Sequence, residues 1–365
     1  MKNLFIRLLG AGLILFLTMV SSPAQEVKTK NAKSWELTGR AQLQYFYNSD
    51  IDGDASRTNN GFRIRRGRLQ AKCKLTDWVE TKFQIEVRDN SPRLKDAEGK
   101  IKLGKNMFVR LGQFKVPVWR EELRSSSKLL LVERSEVAEM LADINLSARQ
   151  VGLEVGGKMA SGLSWAVNVS NGAGEGGRED AGRSKSGFVN NGKLFAGRVN
   201  VPVGDKLQIG VAGAANRAGS DTGVADNSGT IWTIAPDFGY YTSAGTNGQL
   251  DLEGGIAIGS VDKDFLSTAE DQKFRLFDVT ARWHKKLSSV RENLGGVDAV
   301  ELAAGISIIE PNSNVDDDES LFVRFGPAVY FGKTTRLQVN GEIEKPLVSG
   351  GVTIFKFRVQ STFNF

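Results

Sequence analysis

The sequence predicts an all-β protein, a transmembrane antiparallel β-barrel of about sixteen strands. Three observations point there. Apolar and polar residues alternate through segment after segment of the chain. The segments run about ten residues, the length a tilted strand needs to cross hydrocarbon, and they tend to end on aromatics. Short turns alternate with long polar loops, as they do when two ends of a barrel face different compartments. Glycine, at 41 of 365 residues, is abundant and proline, at 8, is scarce, which suits extended segments joined by turns.

The first element is not part of the barrel. Lys2 and Arg7 accompany an apolar run from Leu8 to Val20, and Ser22-Pro23-Ala24 supplies small residues beyond it. This is the pattern of a secretory signal over residues 1–24, cleaved after Ala24. The run is too short to span a bilayer as a helix. Residues 25–34 form a short lead-in, and 35–365 form the barrel. Beyond residue 25 the longest aliphatic stretch is 129–132, so an exported chain of this kind enters a membrane only as strands.

Strands are expected near 35–48, 62–75, 78–88, 96–103, 107–115, 149–158, 163–170, 193–202, 207–215, 230–241, 249–259, 273–285, 298–308, 320–332, 335–344 and 352–365. In the first, Trp35, Leu37, Leu43, Tyr45 and Tyr47 alternate with Glu36, Arg40, Gln42 and Gln44. In the last, Phe355, Phe357, Val359, Phe363 and Phe365 alternate with Lys356, Arg358, Gln360 and Asn364. Between 203 and 259 glycine and alanine dilute the pattern. A soluble β-sandwich would also alternate, its apolar face turned inward. Aromatics at segment ends (Trp35, Trp78, Trp165, Trp283, Phe331) and long loops at 49–61, 117–148, 171–191, 216–229, 260–272 and 310–319 favour the barrel.

Candidate chemistry concentrates early in the chain. Residues 57–74 carry Arg57, Arg63, Arg65, Arg66, Arg68, Lys72 and Lys74 and no acid. Phe62 and Ile64 face one way and Arg63 and Arg65 the other. The phase then slips across Arg65-Arg66-Gly67, which reads as a β-bulge that re-aims side chains. Rows of arginine and lysine in a pore select anions and phosphate; the alternative is a solvated face neutralised by acids on neighbouring strands. The 117–148 loop is too long for an idle connection. It contributes Arg120, Arg124, Ser125, Ser126, Ser127 and Lys128 as constriction candidates, the alternative being a helical lid over the mouth. Arg275 and Arg282 are further candidates on later strands, but acids share their polar rows.

Other features are quieter. One cysteine and one histidine exclude a disulfide framework, a clustered metal site and a multi-histidine relay. Cys73 reads as a small hydrophobe and His284 as a lone polar-row histidine. The acids Asp316, Asp317, Asp318 and Glu319 read as a solvated loop tip rather than a Ca²⁺ site. The glycine-rich stretch at 171–192 is followed by a strand, not by the helix a phosphate-cradling loop requires. No cofactor is expected.

The runs FRIRRGRL (62–69), LKDAEGKIKL (94–103) and VRLGQFKVPVWREELRSSSKLLLVERS (109–135), followed by Arg149, Gly152 and Asn171-Gly172, resemble the phosphate-selective porin O and P family. The resemblance implies a homotrimer of sixteen-stranded barrels in a Gram-negative outer membrane, each with a basic lumen narrowed by an inward-folded third extracellular loop. It implies an oxyanion site at that loop, onto which Arg40, Arg65, Arg66, Asp96 and serines among Ser125–Ser127 map, with Arg120 and Arg124 beside them. The implied activity is passive diffusion of small solutes, leaning to anions such as phosphate or polyphosphate, with the lipid bilayer as a partner and no nucleic acid. A general non-specific porin and a secreted β-rich adhesin or binding protein are the competing readings. An enzyme built on a barrel would need a histidine-based nucleophile system that one histidine does not supply.

Overall fold

Every strand in the computed structural model pairs antiparallel with its sequence neighbours, and the first pairs with the last, closing a barrel of sixteen. Residues 32–50, 59–88, 91–175, 190–220 and 227–365 are described; the expected secretory segment, most of the lead-in and parts of the 49–61, 171–191 and 216–229 loops lie outside them. The strands are β1 (Ser34–Asn48), β2 (Asn59–Lys74), β3 (Val79–Arg88), β4 (Ser91–Leu103), β5 (Met107–Lys115), β6 (Arg149–Lys158), β7 (Ser164–Ser170) and β8 (Leu194–Val203). They continue as β9 (Leu207–Ala218), β10 (Gly229–Ser243), β11 (Gly248–Val261), β12 (Gln272–Arg291), β13 (Val297–Glu310), β14 (Ser320–Phe331), β15 (Thr335–Pro346) and β16 (Ile354–Asn364). Short helices α1 (Arg120–Leu123) and α2 (Glu136–Asp143) follow β5, and α3 (Lys263–Leu266) follows β11.

The outward rows are apolar and exposed, among them Leu43, Phe83, Leu111, Val167, Phe195, Trp232, Ile256, Leu302 and Phe355. Such a belt is stable only against lipid, and closure leaves no unpaired strand edge within it. Polar partners such as Gln42, Gln84, Asp96, Asp278, Glu301 and Gln360 are buried on the inner face. At the seam, Gly39 and Phe365 exchange backbone hydrogen bonds, and a Cβ on Gly39 would collide with the Phe365 ring. Arg275 is a correction: it shares the outward row of Phe277, its side chain is 68% exposed, and it contributes nothing to the lumen.

Besides an irregularity between Lys286 and Arg291 where β12 meets β13, two single-residue bulges interrupt the ladder among the described strands. Gln42 pairs with Arg66 and Leu43 with Ile64, so Arg65 is the extra residue in β2. Gln84 pairs with Asp96 and Ile85 with Leu94, so Lys95 is the extra residue in β4. Each bulge turns two consecutive polar residues inward, where strict alternation would send one into lipid. Gln113 donates to the carbonyls of Leu94 and Lys95 at 2.7 and 2.9 Å, satisfying backbone at the β4 bulge.

The interior is not wet all round. Val116, Val118, Trp119, Val137, Ala138, Leu141 and Leu146, from the segment between β5 and β6, pack on an inner wall of β8–β12. That wall is Leu194, Ala196, Ala212, Ala214, Ala218, Ile231, Ala235, Ala257, Val261, Phe274 and Leu276, all nearly inaccessible. Ser135 caps α2 by accepting from the Ala138 amide, and the helix buries Val137, Ala138 and Leu141. The polar inner row expected from the alternation is thus corrected over part of its length. At the ends nearest the long loops β8–β12 are apolar on both faces, one toward lipid and one toward this segment, whereas farther along the same strands Arg198, Asp237, Asp251, Glu253 and Thr280 keep the inner face polar.

Candidate functional site

The segment between β5 and β6 is fastened to inner-face side chains around much of the circumference. Gln42 of β1 reaches the Ser126 carbonyl at 3.4 Å, Asn340 of β15 accepts from the Val132 amide at 2.6 Å, and Arg336 of β15 donates to the carbonyls of Leu129 and Leu130 at 2.9 and 3.2 Å. Lys115, at the end of β5, donates to the Arg124 carbonyl at 3.0 Å and pairs with the Glu122 carboxylate at 3.2 Å. Arg134 adds a second cation on Glu122 at 2.6 Å.

The predicted basic residues divide into three groups. Arg63, Arg65 and Arg66 converge on Glu133. Arg65 grips it through Nε and Nη2 at 2.6 and 2.8 Å, Arg66 stands at 3.4 Å and Arg63 at 3.6 Å. Burial alone would raise the Glu133 pKa, but Arg65 and then Arg66 overcome it and hold the carboxyl below its ordinary range. This acid is missed by sequence reasoning, because a lone glutamate behind four aliphatic residues carries no local signal of what it will meet.

The second group holds Arg40 and Arg68, which donate to the Ser126 hydroxyl at 2.7 and 3.0 Å; Arg40 also reaches Ser125 at 3.2 Å. Arg68 is paired with Glu86 at 2.6 Å, whereas Arg40 makes no ion pair among the described residues and otherwise meets only Asn364. Ser127 stands behind, its hydroxyl 3.3 Å from that of Ser125. Beside these serines lies a cavity of about 240 Å³ whose lining includes Lys82, Asp96, Arg110, Lys115 and Arg149. Asp96 bonds Arg149 at 2.7 Å and Lys82 at 3.4 Å, orienting both cations toward one space. Lys82, Lys115 and Arg149 are further participants that composition does not single out; the fold collects them from β3, β5 and β6.

Arg120 and Arg124 form the third group and turn away from the serines. Arg120 bonds Asp237 at 2.9 Å and Gln208 at 3.0 Å, and Arg124 pairs with Glu253. They face β9–β11 across a different cavity of about 580 Å³. Placing them with Ser125–Ser127 on sequence proximity is therefore corrected: Arg120 opens α1 and Arg124 follows its end at Leu123, and both bond to β9–β11 rather than to the serines' partners. On the later strands the bases meet acids: Arg324 with Asp278, Arg282 with Asp251 and Glu301, Arg358 with Glu342. His284 lies 3.6 Å from Glu301 and edge-on to Tyr330, with no nucleophile in contact.

Comparison with solved structures gives the same architecture. An anion-selective porin from Comamonas acidovorans aligns over 91% of this chain and 99% of its own, with a TM-score of 0.62 at 14% identity. Salmonella typhi OmpF, in complex with daunomycin, aligns over 93% and 100% with a TM-score of 0.64 at 13% identity. The trimer form of OmpT from Vibrio cholerae aligns over 91% and 99% with a TM-score of 0.58 at 10% identity. At these identities the likeness is one of fold. No curated protein sequence matches. The model of the phosphate-selective porin O and P family matches residues 36–247, more than half of the chain. On that match and on the closed barrel with its lipid-facing belt, the chain belongs to the phosphate-selective porin O and P family and is an outer-membrane porin of a Gram-negative bacterium.

Proposed function

We propose that the protein carries small solutes passively across the outer membrane with a preference for anions, inorganic phosphate among them. The observation that carries this reading is Arg40. Its guanidinium has no carboxylate partner among the described residues and donates to two serine hydroxyls, that of Ser126 shared with Arg68, at the rim of a cavity lined by five bases and one acid. An oxyanion entering there meets the two guanidiniums together with the serine hydroxyls, and a bond between two ions is stronger than one from a guanidinium to a neutral hydroxyl. The segment between β5 and β6 acts as the constriction, and α1 and the serines form its edge. The protein works as a channel, not an enzyme, and assembles as a homotrimer.

The test is electrical. The reversal potential of the purified protein in a planar bilayer under a KCl gradient should show chloride favoured over potassium, and millimolar phosphate should interrupt the current. Arg40→Gln should weaken that block several-fold. Cation selectivity in the unaltered protein would reject the anion reading, and conductance insensitive to phosphate would leave a general porin. Chemical cross-linking in detergent to a three-chain product tests the assembly.

A further inference from the structure

The cavity of about 580 Å³ belongs to none of the chemistry assigned above. It lies across α1 from the serine cavity, and Leu123 lines both. Its size falls in the range of small-molecule sites, roughly 300–1,000 Å³, whereas the serine cavity falls below it. Its walls mix apolar surface from Leu123 and Pro202 with polar groups, Lys158, Ser164, Asn200, Gln208 and Tyr241 among them.

The hydrogen-bond bookkeeping fixes what these groups offer. Arginine only donates, so the Asn200 oxygen must face Arg198 Nε at 2.9 Å and the Gln208 oxygen must face Arg120 Nη1 at 3.0 Å. Both amides therefore present their N–H₂ groups away from those arginines, and the Asn200 nitrogen has only a long 3.5 Å contact to Ser164. Lys158 makes no ion pair among the described residues, and Arg120 Nη2 is buried with no partner. Three strands (β6, β8 and β9) thus bring donors to one space, with Arg120 Nη2 inaccessible behind its wall. Glu253 supplies acceptor capacity but is already engaged by Arg124 and Tyr241. Glycine makes the room: a Cβ on Gly210 would collide with Arg198, and one on Gly239 would crowd Tyr241 and Arg120.

We infer that this cavity is a second solute-binding station, selective for hydroxylated organic anions larger than phosphate, with sugar phosphates as the class. Spread donors suit a ligand whose oxygens are spread, and four cations set against only two carboxylates, Asp237 and Glu253, favour an anionic group on it. The inference needs only that the barrel conducts and does not depend on the phosphate reading of the serine cavity.

The experiment is single-channel recording of the full protein with glucose 6-phosphate, glucose and orthophosphate as blockers. Glucose 6-phosphate should interrupt current at concentrations at least tenfold below glucose. The double variant Asn200→Leu, Gln208→Leu should weaken that block at least fivefold and leave orthophosphate block unchanged. Equal block by glucose and glucose 6-phosphate, or a double variant that leaves the glucose 6-phosphate block intact, overturns the inference. A variant that weakens both phosphates alike also overturns it, since that merges the two stations. Should the double variant lose its heat-modifiable mobility on gels, Lys158→Gln, at an exposed position, replaces it with a threefold loss expected and no loss refuting. If orthophosphate fails to block the unaltered protein while glucose 6-phosphate succeeds, the phosphate proposal falls and this one stands.

Discussion

Replacing Glu133 should turn the Arg63–Arg65–Arg66 cluster from a clasp on the protein's own carboxylate into an open anion site. The carboxylate accepts two bonds from Arg65 at 2.6 and 2.8 Å and is approached by Arg66 and Arg63. Glu133→Gln removes one negative charge while keeping the shape and an acceptor. For a permeating ion about 6 Å away, a unit charge is worth ~0.7 kcal/mol at the dielectric constant of water, about threefold in occupancy. Anions gain and cations lose by the same factor, so the permeability ratio should rise about tenfold at low salt, and less at 1 M where screening is short-ranged. Breaking a buried pair from one side costs ~3–5 kcal/mol, so the segment should also loosen and the open-channel current grow noisier. The assay is reversal potential in KCl at two ionic strengths. A folded variant whose ion selectivity matches the parent at low salt would refute the reasoning, because the missing charge would then be invisible to the conduction path.

Three further outcomes are expected. Ser126→Ala removes the hydroxyl shared by Arg40 and Arg68; phosphate block in bilayers should weaken about five- to tenfold, consistent with ~1–1.4 kcal/mol for a hydrogen bond of this kind. The Glu136 carboxyl, pushed up to about 7 by burial and then by the charge of Glu342, should make anion preference fall as pH rises from 6 to 8, and Glu136→Gln should flatten the profile. Because its folded value lies above the ordinary 4.5, its contribution to stability is full below that value and is lost as pH rises through about 7, which thermal unfolding at pH 5 and 8 would register. Leu141→Ala, at a fully buried position of α2, should cost ~2–5 kcal/mol of local packing and speed proteolysis within 117–148, with the barrel itself retained.

The barrel was legible because lipid imposes a rule on every strand. Leu43, Phe83, Leu302 and Phe355 had to face outward, and polar neighbours had to face in. Where the rule blurred, at Ala212, Ala214, Ala235 and Ala257, the cause was physical: those alanines are inner-face residues buried by Val118, Trp119 and Leu141. No local pattern announces that a segment far earlier in the chain will cover this wall and exclude water from it. The phase slip near Arg65 and Arg66 was readable, but not that its arginines would be occupied by Glu133. Likewise, Arg40, Arg68 and Ser126 could be suspected from motif likeness, whereas the departure of Arg120 and Arg124 toward Asp237 and Glu253 depends on which way a four-residue helix turns.

The dry inner wall has an evolutionary corollary. At the level of that patch, a passage through such a cylinder runs off its axis, skirting the packed arc. Trimming the inserted segment would not simply widen the hole. It would strip the cover from a trough of alanine, leucine and phenylalanine and leave that trough facing water. Enlarging the aperture thus calls for repainting one end of five strands as well as shortening one loop, which ties the calibre of the channel to residues packed out of the water's reach.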